Sequence, residues 1–467
     1  MALELEAGTA VKARARGTVR ASYLVATLLC LVALLLPALW NGYPLLQFDT
    51  GGYLARWYEG YLVPSRSTVF ALFLHLGEGL HFWPQLLLQA ACTIYVISLV
   101  LRTVGSSRSP WSLTAVIIGL SLLTALPFLS AMLLTDIFAG LGVLSMHLLI
   151  FHRMDLGRYD RIALFLIIAF AAATHSATLA VLIAIWIFAV PLLLLSGSGA
   201  FSNLLPAGGA LAAGAAMLLA ANFALSGQLA WTPGGFGIAF GRMLQDGIVK
   251  RFLDDHCPDT RLRLCRYRNE LPKTADEFLW NYGIFNELGR FTGLGEEMRY
   301  IVLHSLAEYP ARQVKTALAA AGEQLGRVGT GNGTHDQIWH TYGIIKRFVP
   351  AEVPAMQKAR QQHGELDFSL INRVHVPIAH YSLLFLVVLL AAALARRRFH
   401  AQAWLAATVV VAIVANAFAC GVLSGPHDRY GARIAWLATL SIGIAILVKI
   451  KSSGTKRNVT SDSAGGP

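Results

Sequence analysis

Long apolar runs, most of them joined by short polar connections, dominate the pattern of this 467-residue chain. A run of roughly 20 apolar residues is long enough to cross the hydrocarbon core of a bilayer as a helix. The pattern therefore predicts an all-α polytopic membrane protein with about ten transmembrane helices. These helices are expected at about 21–40, 82–101, 112–130, 132–151, 162–174, 177–195, 205–224, 376–395, 402–420 and 432–450.

The run from 162 to 195 is unusually long. As one helix it would extend roughly 50 Å, whereas the hydrocarbon core is about 30 Å thick. The polar trio Thr174-His175-Ser176 lies in the middle of this run. We therefore predict a hairpin of two short or partly re-entrant helices, with a single long helix as the alternative.

Charged residues make up 14% of the chain, compared with roughly 25% in soluble domains. The formal net charge is +12, but residues 225–375 are nearly balanced, with 18 basic and 16 acidic residues. The remainder has 20 basic and 10 acidic residues. Its basic residues cluster in short connections, which is typical of cytoplasmic loops and not of a nucleic-acid-binding surface. The clusters are Lys12/Arg14/Arg16/Arg20, Arg102/Arg108, Arg153/Arg158/Arg161, Arg396/Arg397/Arg398 and Lys449/Lys451/Lys456/Arg457.

The basic clusters and the apolar runs together predict how the chain is organised. With the clusters in the cytoplasm, ten helices place residues 225–375 on the outer side of the membrane. The segment after Arg20 lacks a small-residue cleavage site, so we expect a retained first helix. Short tails without sorting signals favour a bacterial inner membrane. The expected parts are a cytoplasmic basic tail (1–20), helices 1–7 (21–224) with a first outer loop (41–81), a mainly helical extracytoplasmic domain between helices 7 and 8 (225–375), helices 8–10 (376–450) and a flexible cytoplasmic tail (451–467).

The outer segment carries its own helix signals. Thr274 followed by Glu277 is a capping-box pattern that predicts the start of a helix. Apolar residues at helical spacing from about 295 to 325 are interrupted at Pro310, which predicts a break. Cys257 and Cys265 lie in a polar stretch, and an oxidising compartment would join them in a disulfide; two free thiols are the alternative.

Five acidic residues fall at the predicted outer ends of apolar runs. A carboxylate at the centre of a membrane helix costs about 2.5–3.5 kcal/mol on insertion scales. Such groups are retained at bilayer depth mainly where they face a cavity used for chemistry or transport. The five are Asp49, Glu59, Glu78, Asp136 and Asp428.

Asp49 in the first outer loop is followed by Thr50, Gly51 and Gly52 and then by Tyr53. Two glycines allow a tight backbone turn, which we expect to bring the carboxylate beside a ligand. The alternative is an interfacial amphipathic helix with Asp49 as its N-cap.

Four further polar residues are candidates for the same cavity. Asp136 follows Thr135 near an outer helix end, where it is either a helix-start residue or a second carboxylate that binds the acceptor or a divalent cation. Arg56 and Arg66 in the first loop are placed to contact a phosphate, or are simply solvated or paired. His175 is polar at membrane depth, and we expect it to border the cavity.

The segment "GVLSGPHDRYGARIAWL" places His427, Asp428, Arg429, Tyr430 and Arg433 at the outer start of the last helix. Two arginines four positions apart share one helix face. Because they lie on the outer side, against the general charge bias, we expect an anionic partner. Guanidinium geometry matches phosphate oxygens, and pairing with Asp428 or with lipid headgroups is the alternative.

Three short motifs in this order resemble the GT-C superfamily of integral-membrane glycosyltransferases, in particular protein O-mannosyltransferases and bacterial lipid A sugar transferases. "FDTGGYL" resembles the first-loop Asp-x-x-x-Tyr pattern, "PFLSAMLLTD" the second acidic motif and "DRYGARIAWL" the late Arg-Tyr motif. The resemblance covers about 45 residues in three patches. The late motif of the superfamily continues with prolines, where this chain has Gly431, and the second motif lacks the acidic pair of metal-dependent members.

The resemblance implies a GT-C-like fold and an inverting transfer of a sugar from a polyprenyl-phosphate donor to a hydroxyl of a lipid, glycan or protein. Asp49 would be the general base, and Asp136 would orient the acceptor or help to bind a cation. The donor phosphate would be bound by Arg429, Arg433 and His427. The remaining expected cavity residues are Tyr53, Arg56, Tyr430 and His175. No cofactor is implied beyond that divalent cation, which stays open.

Two other classes of function remain open from the sequence. A lipid-linked glycan flippase or other transporter typically has charges within its helices, broken helices at the midplane and internal repeats. A glycan polymerase or ligase would also use outer arginines on a lipid pyrophosphate, but would not specifically need the Asp49 motif.

Overall fold

A computed structural model of the protein describes the backbone of residues 2–60, 62–196, 200–232, 234–397 and 399–462. Side chains are described from residue 20 to residue 453, except at 61, 192, 195–200, 233 and 398. Six basic residues of the predicted cytoplasmic clusters therefore lie outside the described side chains. They are Lys12, Arg14, Arg16, Arg398, Lys456 and Arg457.

Within these ranges the chain is helical and contains no β-strand; one isolated bridge joins Leu45 to Met132. The helices are α1 (Ala2–Asn41), α2 (Phe48–Tyr58), α3 (Thr68–His75), α4 (Trp83–Thr103), α5 (Pro110–Leu123), α6 (Leu126–Ser130), α7 (Asp136–Phe151), α8 (Arg158–Thr174), α9 (Ser176–Ser196), α10 (Leu204–Ser226), α11 (Gly235–Gln245), α12 (Ile248–His256), α13 (Ala275–Trp280), α14 (Ile284–Glu287), α15 (Arg290–Glu308), α16 (Pro310–Gly326), α17 (Trp339–Phe348), α18 (Val353–Gln357), α19 (Ser369–Ala395), α20 (Ala401–Asn416) and α21 (Asp428–Asp462). A π-helical segment, Ala417–Val422, extends α20, and short 3-10 helices cover Glu78–Leu80, Arg153–Asp155, Ala200–Asn203, Arg263–Tyr267, Pro350–Glu352 and Arg360–His363.

Six helices in the described part of the chain are long and apolar enough to cross a membrane, which is compatible with a multi-pass membrane protein. They are Arg20–Asn41, Trp83–Thr103, Phe201–Ser226, Ser369–Ala395, Ala401–Val422 and Asp428–Ser453. Pro110–Leu123, Asp136–Phe151 and Ser176–Pro191 are shorter apolar helices. Each of the ten apolar runs in the sequence contains a helix, as predicted, although the third run divides into α5 and α6.

The long run from 162 to 195 forms two helices, α8 and α9, and not the single long helix of the alternative. They meet at His175, whose extended backbone (φ −154°, ψ 123°) ends α8. Helix α7 packs against both of them and lies at the centre of the bundle, because Asp136 and every residue from there to Ile150 are buried. A helix that is apolar on all sides is typical of such a central position.

The two ends of the bundle differ in charge. At one end, Arg102 pairs with Asp160 at 2.6 Å and the Lys451 ammonium donates to the Ser106 carbonyl at 3.1 Å. Contacts between these connecting segments bring the ends of α4, α8 and α21 together. At the opposite end, α7 begins at Asp136 and α21 begins at Asp428, so the acidic helix starts share one side of the molecule.

Residues 225–375 contain helices α11 to α18 and the first turns of α19. Their own apolar core includes Phe240, Ile248, Phe252, Leu264, Phe285, Leu294 and Ile301. Cys257 and Cys265 form a disulfide at the edge of this core. The predicted helix start is confirmed, since the Thr274 hydroxyl accepts from the Glu277 amide at 3.2 Å. The break at Pro310 is also confirmed, between α15 and α16.

Residues 225–375, the predicted outer segment, contact the acidic end of the bundle. The Thr341 hydroxyl of α17 accepts from the Gly51 amide at 3.1 Å. Buried Glu352 accepts from the Tyr43 hydroxyl at 3.1 Å and contacts His81 at 2.8 Å. The outer segment therefore covers the first loop, where Asp49 lies.

Candidate functional site

Asp49 lies in the first turn of α2, and Gln47 is the N-cap, with its side-chain oxygen accepting from the Asp49 amide at 2.7 Å. The predicted tight turn is therefore wrong, because Gly51 and Gly52 continue the helix. The alternative of a helix at this position is correct, but Asp49 is not its cap. A carboxylate in the first turn is stabilised by the helix dipole.

The two glycines serve close packing instead. A Cβ atom on Gly51 would lie 2.6 Å from the Thr341 Cα, and one on Gly52 would lie 2.8 Å from the Arg66 Nε. Side chains at these positions would displace α17 and the Arg66 guanidinium. The glycines thus allow Arg66 to lie against the same helix that carries Asp49.

Backbone pairing brings the first loop to the start of α7. The Leu45 amide donates to the Ala131 carbonyl at 2.9 Å, and the Leu133 amide donates to the Leu45 carbonyl at 3.1 Å. The Thr50 hydroxyl also donates to the Leu133 carbonyl at 3.1 Å. These bonds place Asp49 and Asp136, which are far apart in sequence, on the same side of the molecule.

Arg429 joins the two carboxylates. Its Nη1 donates to Asp49 Oδ2 at 2.6 Å and its Nε donates to Asp136 Oδ2 at 2.6 Å. The side chain of Asp136 is 2% exposed, and that of Asp49 is 22% exposed. Asp49 is therefore the carboxylate of the pair that a substrate reaches more directly.

Arg66 donates to the other oxygen of Asp49, Oδ1. Burial raises the pKa of the Asp49 carboxyl, but the guanidiniums of Arg66 and Arg429 outweigh it and hold the pKa below its usual range. Asp49 is consequently ionised at neutral pH, with a guanidinium on each of its oxygens.

Arg433 is fully buried one helical turn further along α21. Its Nε and Nη2 donate to Asn416 Oδ1 at 3.0 and 2.7 Å, and Nη2 lies 3.1 Å from the Cys420 Sγ. Its Nη1 lies 3.8 Å from Asp136 Oδ1 but has no hydrogen-bond acceptor among the described residues. The Arg66 Nε likewise lacks an acceptor in the described structure. Two buried guanidinium nitrogens of this group are therefore without an acceptor in the described structure.

Aromatic rings line this cluster. The Tyr430 ring centroid lies 5.8 Å from the Arg429 Cζ and 5.7 Å from the Arg433 Cζ. Tyr53 has the Arg66 Cζ at 5.6 Å. The rings favour positive charge through their faces, so they keep the guanidiniums in place. With three guanidiniums against two carboxylates, the cluster favours an anionic ligand.

His175, at the break between α8 and α9, lies near enough to Asp49 for the two side chains to interact electrostatically. Its Nδ1 accepts from the Ala177 amide at 3.2 Å. A neutral ring with Nδ1 as acceptor carries its proton on Nε2, and His175 can therefore act as a hydrogen-bond donor near the cluster.

Several predicted residues have partners elsewhere. The Arg56 guanidinium is buried and donates to the Thr68 hydroxyl at 2.8 Å, the Val63 carbonyl at 2.9 Å and Asn222 Oδ1 at 2.9 Å. These bonds hold the first loop to α10. His427 lies 3.9 Å from Asp276 in the outer segment.

The other three acidic residues of the predicted set are also apart from Asp49 and Asp136. Asp428 accepts from the Gly329 amide at 2.8 Å, and Glu59 lies 4.0 Å from Arg347. Glu78 accepts from the Tyr58 hydroxyl and lies 3.0 Å from the His75 Nδ1. These contacts stabilise loops at the acidic end of the bundle.

Two residues that contact Arg433 are absent from the predicted site. They are Asn416 and Cys420, which lie in the predicted apolar run 402–420. The π-helical segment that begins at Ala417 follows Asn416 directly. The amide of Asn416, in a run of apolar residues, is the signal that could have identified it.

The donor set does not suit a divalent cation. Among the described residues, no group of three or more His, Cys, Asp or Glu side chains is placed to hold a metal ion. The oxygens of Asp49 and Asp136 already accept from arginines, and three guanidiniums would repel a cation. No catalytic step is therefore assigned to a metal.

Comparisons of this chain with protein-family models, with curated proteins and with solved structures returned no match. The site is therefore described by its geometry, as an arginine–carboxylate cluster that consists of Asp49, Arg66, Asp136, Arg429 and Arg433.

Proposed function

We propose that this protein is a polyprenyl-phosphate-dependent glycosyltransferase with a GT-C-like arrangement of ten membrane helices. The observation that carries the proposal is the arginine–carboxylate cluster, in which an ionised, partly exposed Asp49 adjoins guanidinium N–H groups without acceptors. A base beside an anion site is what transfer from a sugar phosphate requires.

In the proposed reaction, the acceptor hydroxyl attacks the anomeric carbon of the sugar. The new bond is between that carbon and the acceptor oxygen, and the bond that breaks joins the carbon to the phosphate oxygen. Asp49 takes the hydroxyl proton. Polyprenyl phosphate leaves with the bonding electron pair, and Arg429 and Arg433 stabilise its negative charge. A single displacement of this kind inverts the anomeric configuration.

The remaining residues have supporting roles in this proposal. Asp136 fixes the Arg429 guanidinium through two contacts, at 2.6 and 3.5 Å. His175 donates a hydrogen bond to the donor phosphate, and Tyr53 and Tyr430 line the site. His427 and Arg56 have contacts that favour a structural role over phosphate binding.

The proposal also specifies location and partners. The basic ends of the helices and both termini are cytoplasmic, by the positive-inside rule. The cluster then opens on the periplasmic side of a bacterial inner membrane. The donor is a sugar on a polyprenyl phosphate, which reaches the site from the lipid, and the acceptor is a hydroxyl of a lipid, glycan or protein.

One observation favours transport of a lipid-linked glycan as a second candidate function. The break between α8 and α9 at His175 is a discontinuity of the kind that transporters use at their binding sites. A transporter would bind the lipid-linked sugar without cleaving it, which separates the two functions experimentally.

Release of polyprenyl phosphate from a panel of polyprenyl-phosphate sugars tests the proposal. Purified wild-type protein and Asp49→Asn would be compared in lipid nanodiscs, with envelope extract as the source of acceptors. We expect release by the wild type and a loss of at least about 100-fold in the variant, because a general base contributes roughly 10²–10⁴-fold.

A matched control is Asp428→Asn, which removes an acidic residue of the same helix end that does not contact the arginines of the cluster in the described structure. It should retain release. Absence of release by folded wild-type protein on the whole panel would contradict the transferase proposal, and flipping of the same lipids would favour the transporter.

A further inference from the structure

The resting arrangement of Asp49 conflicts with its proposed role. A general base needs a free lone pair directed at the acceptor hydroxyl. Asp49 Oδ2 accepts from the Arg429 Nη1 at 2.6 Å, and Oδ1 accepts from Arg66. Each oxygen is thus engaged by a guanidinium, which also lowers its basicity. Each oxygen keeps a second lone pair, but in the described structure Asp49 is a weakened base with a guanidinium on both of its oxygens.

The same arginines are the groups best placed to bind a phosphate. Arg66 has an Nε without an acceptor, and Arg433 has an Nη1 without one, within the described residues. A buried donor without an acceptor costs free energy, which an incoming phosphate oxygen would recover. The phosphate of a polyprenyl-phosphate sugar is a diester with one negative charge, so it matches the charge of the carboxylate and gains over it by also pairing the two donors that lack acceptors.

We propose that the donor phosphate displaces Asp49 from Arg66 and Arg429, so that phosphate binding itself releases the catalytic base. Arg66 thereby becomes a positioning residue with two partners, the carboxylate at rest and the phosphate in the loaded enzyme. This inference rests on the proposed transferase function and adds a compulsory order to it, with donor binding before proton transfer from the acceptor.

Asp136 explains why Arg429 stays in place during the exchange. Arg429 keeps its Nε contact with Asp136 while its Nη1 changes partner, because the two carboxylates use different nitrogens. Asp136 is nearly inaccessible to solvent and remains paired.

The Asp49 carboxylate and the phosphate compete for the same N–H groups. Removing the charge of Asp49 should strengthen binding of a phosphate, although it abolishes turnover. A charge-assisted hydrogen bond is worth about 1.5–3 kcal/mol, so we expect the dissociation constant of Asp49→Asn for a lipid phosphate to fall by about tenfold or more.

The experiment measures binding of farnesyl phosphate to detergent-purified full-length protein by calorimetry. Asp49→Glu keeps the charge at the same position and should bind with an affinity close to that of the wild type. Farnesol, which lacks the phosphate, should bind equally to all variants. Tighter binding by Asp49→Asn but not by Asp49→Glu supports the exchange.

The outcomes separate this inference from the proposed function. Unchanged or weaker binding by Asp49→Asn, with clear binding by the wild type, would overturn the exchange and leave the transferase proposal intact. No binding of farnesyl phosphate by the wild type or the variant would contradict both, because the arginines would then not form a lipid phosphate site.

A second measurement uses the wild type and does not depend on how well a variant folds. A carbodiimide labels carboxyl groups that take up a proton, and an ion-paired carboxylate resists it. We expect labelling of Asp49, followed by mass spectrometry, to rise severalfold on addition of farnesyl phosphate, whereas labelling of exposed Asp276 stays constant. A constant or reduced rate at Asp49 would contradict the exchange.

Discussion

At the scale of single residues, the chemistry depends on which nitrogen of each arginine is already engaged. Arg433 donates twice to Asn416, through Nε and Nη2. Its third nitrogen, Nη1, lies 3.8 Å from Asp136 Oδ1. Only arginine has a planar guanidinium whose separate nitrogens can bind an amide and an anion at the same time. Lysine, with one compact ammonium, cannot reproduce it.

Arg433→Lys should therefore behave almost like Arg433→Ala. We expect both variants to bind farnesyl phosphate at least about tenfold more weakly, the effect of losing one charge-assisted hydrogen bond. Binding is measured as for Asp49→Asn, with Arg347→Ala at an exposed position as the control. If Arg433→Lys bound farnesyl phosphate with wild-type affinity, the guanidinium geometry would not be needed for binding.

The guanidiniums on the carboxylate oxygens also bear on whether the reaction needs a metal. Because the oxygens of Asp49 and Asp136 accept from guanidiniums, we expect a chelator to leave the rate of polyprenyl phosphate release unchanged within twofold, about 0.4 kcal/mol in the barrier. The assay compares protein treated with EDTA with protein supplied with Mg²⁺ or Mn²⁺. A rate that is lost with EDTA and restored by either ion would contradict this arrangement.

At the scale of elements, the first loop is held by a buried arginine far more than by its own helices. Arg56 connects α2 to Thr68 at the start of α3 and to Asn222 of α10. Helix α2 has only 11 residues, which is too short to be stable alone. The position of Asp49 at the start of α2 thus depends on contacts near its end.

Arg56→Ala should destabilise the protein and misplace Asp49. Each buried acceptor left unpaired costs about 1–3 kcal/mol, and we expect a loss of that size in the free energy of unfolding in mixed micelles. Arg347→Ala, at an exposed position, should change it by no more than about 0.5 kcal/mol. A stability equal to wild type would show that other contacts hold the loop.

The disulfide is a second element-scale feature, since it closes a short loop beside the core of the outer segment. Cys257 and Cys265 should resist alkylation until the protein is reduced, whereas Cys92, which is half-buried and unpaired, should react in denaturant without reduction. Intact mass after alkylation measures this. Modification of all five cysteines without reductant would contradict the disulfide and the proposed periplasmic location.

At the scale of the whole molecule, the segregation of acidic helix starts and basic helix ends implies one orientation in the membrane. Tyr282 of the outer segment and Met154 after α7 are 88% and 81% exposed, and lie at opposite ends of the bundle. In a Cys92→Ala background, Tyr282→Cys should react with an impermeant maleimide in spheroplasts and Met154→Cys only after lysis. The reverse pattern would put the cluster in the cytoplasm.

The sequence predicted helix positions well because apolar run length and the Thr174-His175-Ser176 interruption are local signals. It also singled out Asp49, Asp136, Arg429 and Arg433, because charges are rare in apolar surroundings. The roles of Gly51 and Gly52 could not be predicted, since they depend on Thr341 and Arg66 approaching α2 from distant parts of the chain.

The hydrogen-bond and ion-pair partners of polar residues were the hardest feature to predict, because they also come from distant parts of the chain. His427 and Asp428 adjoin Arg429 in sequence but turn to the outer segment, toward Asp276 and the Gly329 amide. Helix α21 starts at Asp428, and successive residues of a helix point in different directions. Only the packing of α16 and the following loop decides which of them faces the cluster.

The most direct test of the central claim is a cryo-electron microscopy structure of the full-length protein in nanodiscs with farnesyl phosphate, using a bound antibody fragment for alignment. We predict phosphate density within about 3 Å of the Arg66, Arg429 and Arg433 nitrogens, a hydrogen-bond distance, and an Asp49 carboxylate that no longer contacts them. Phosphate density at another site, with Asp49 still paired to Arg66 and Arg429, would contradict it.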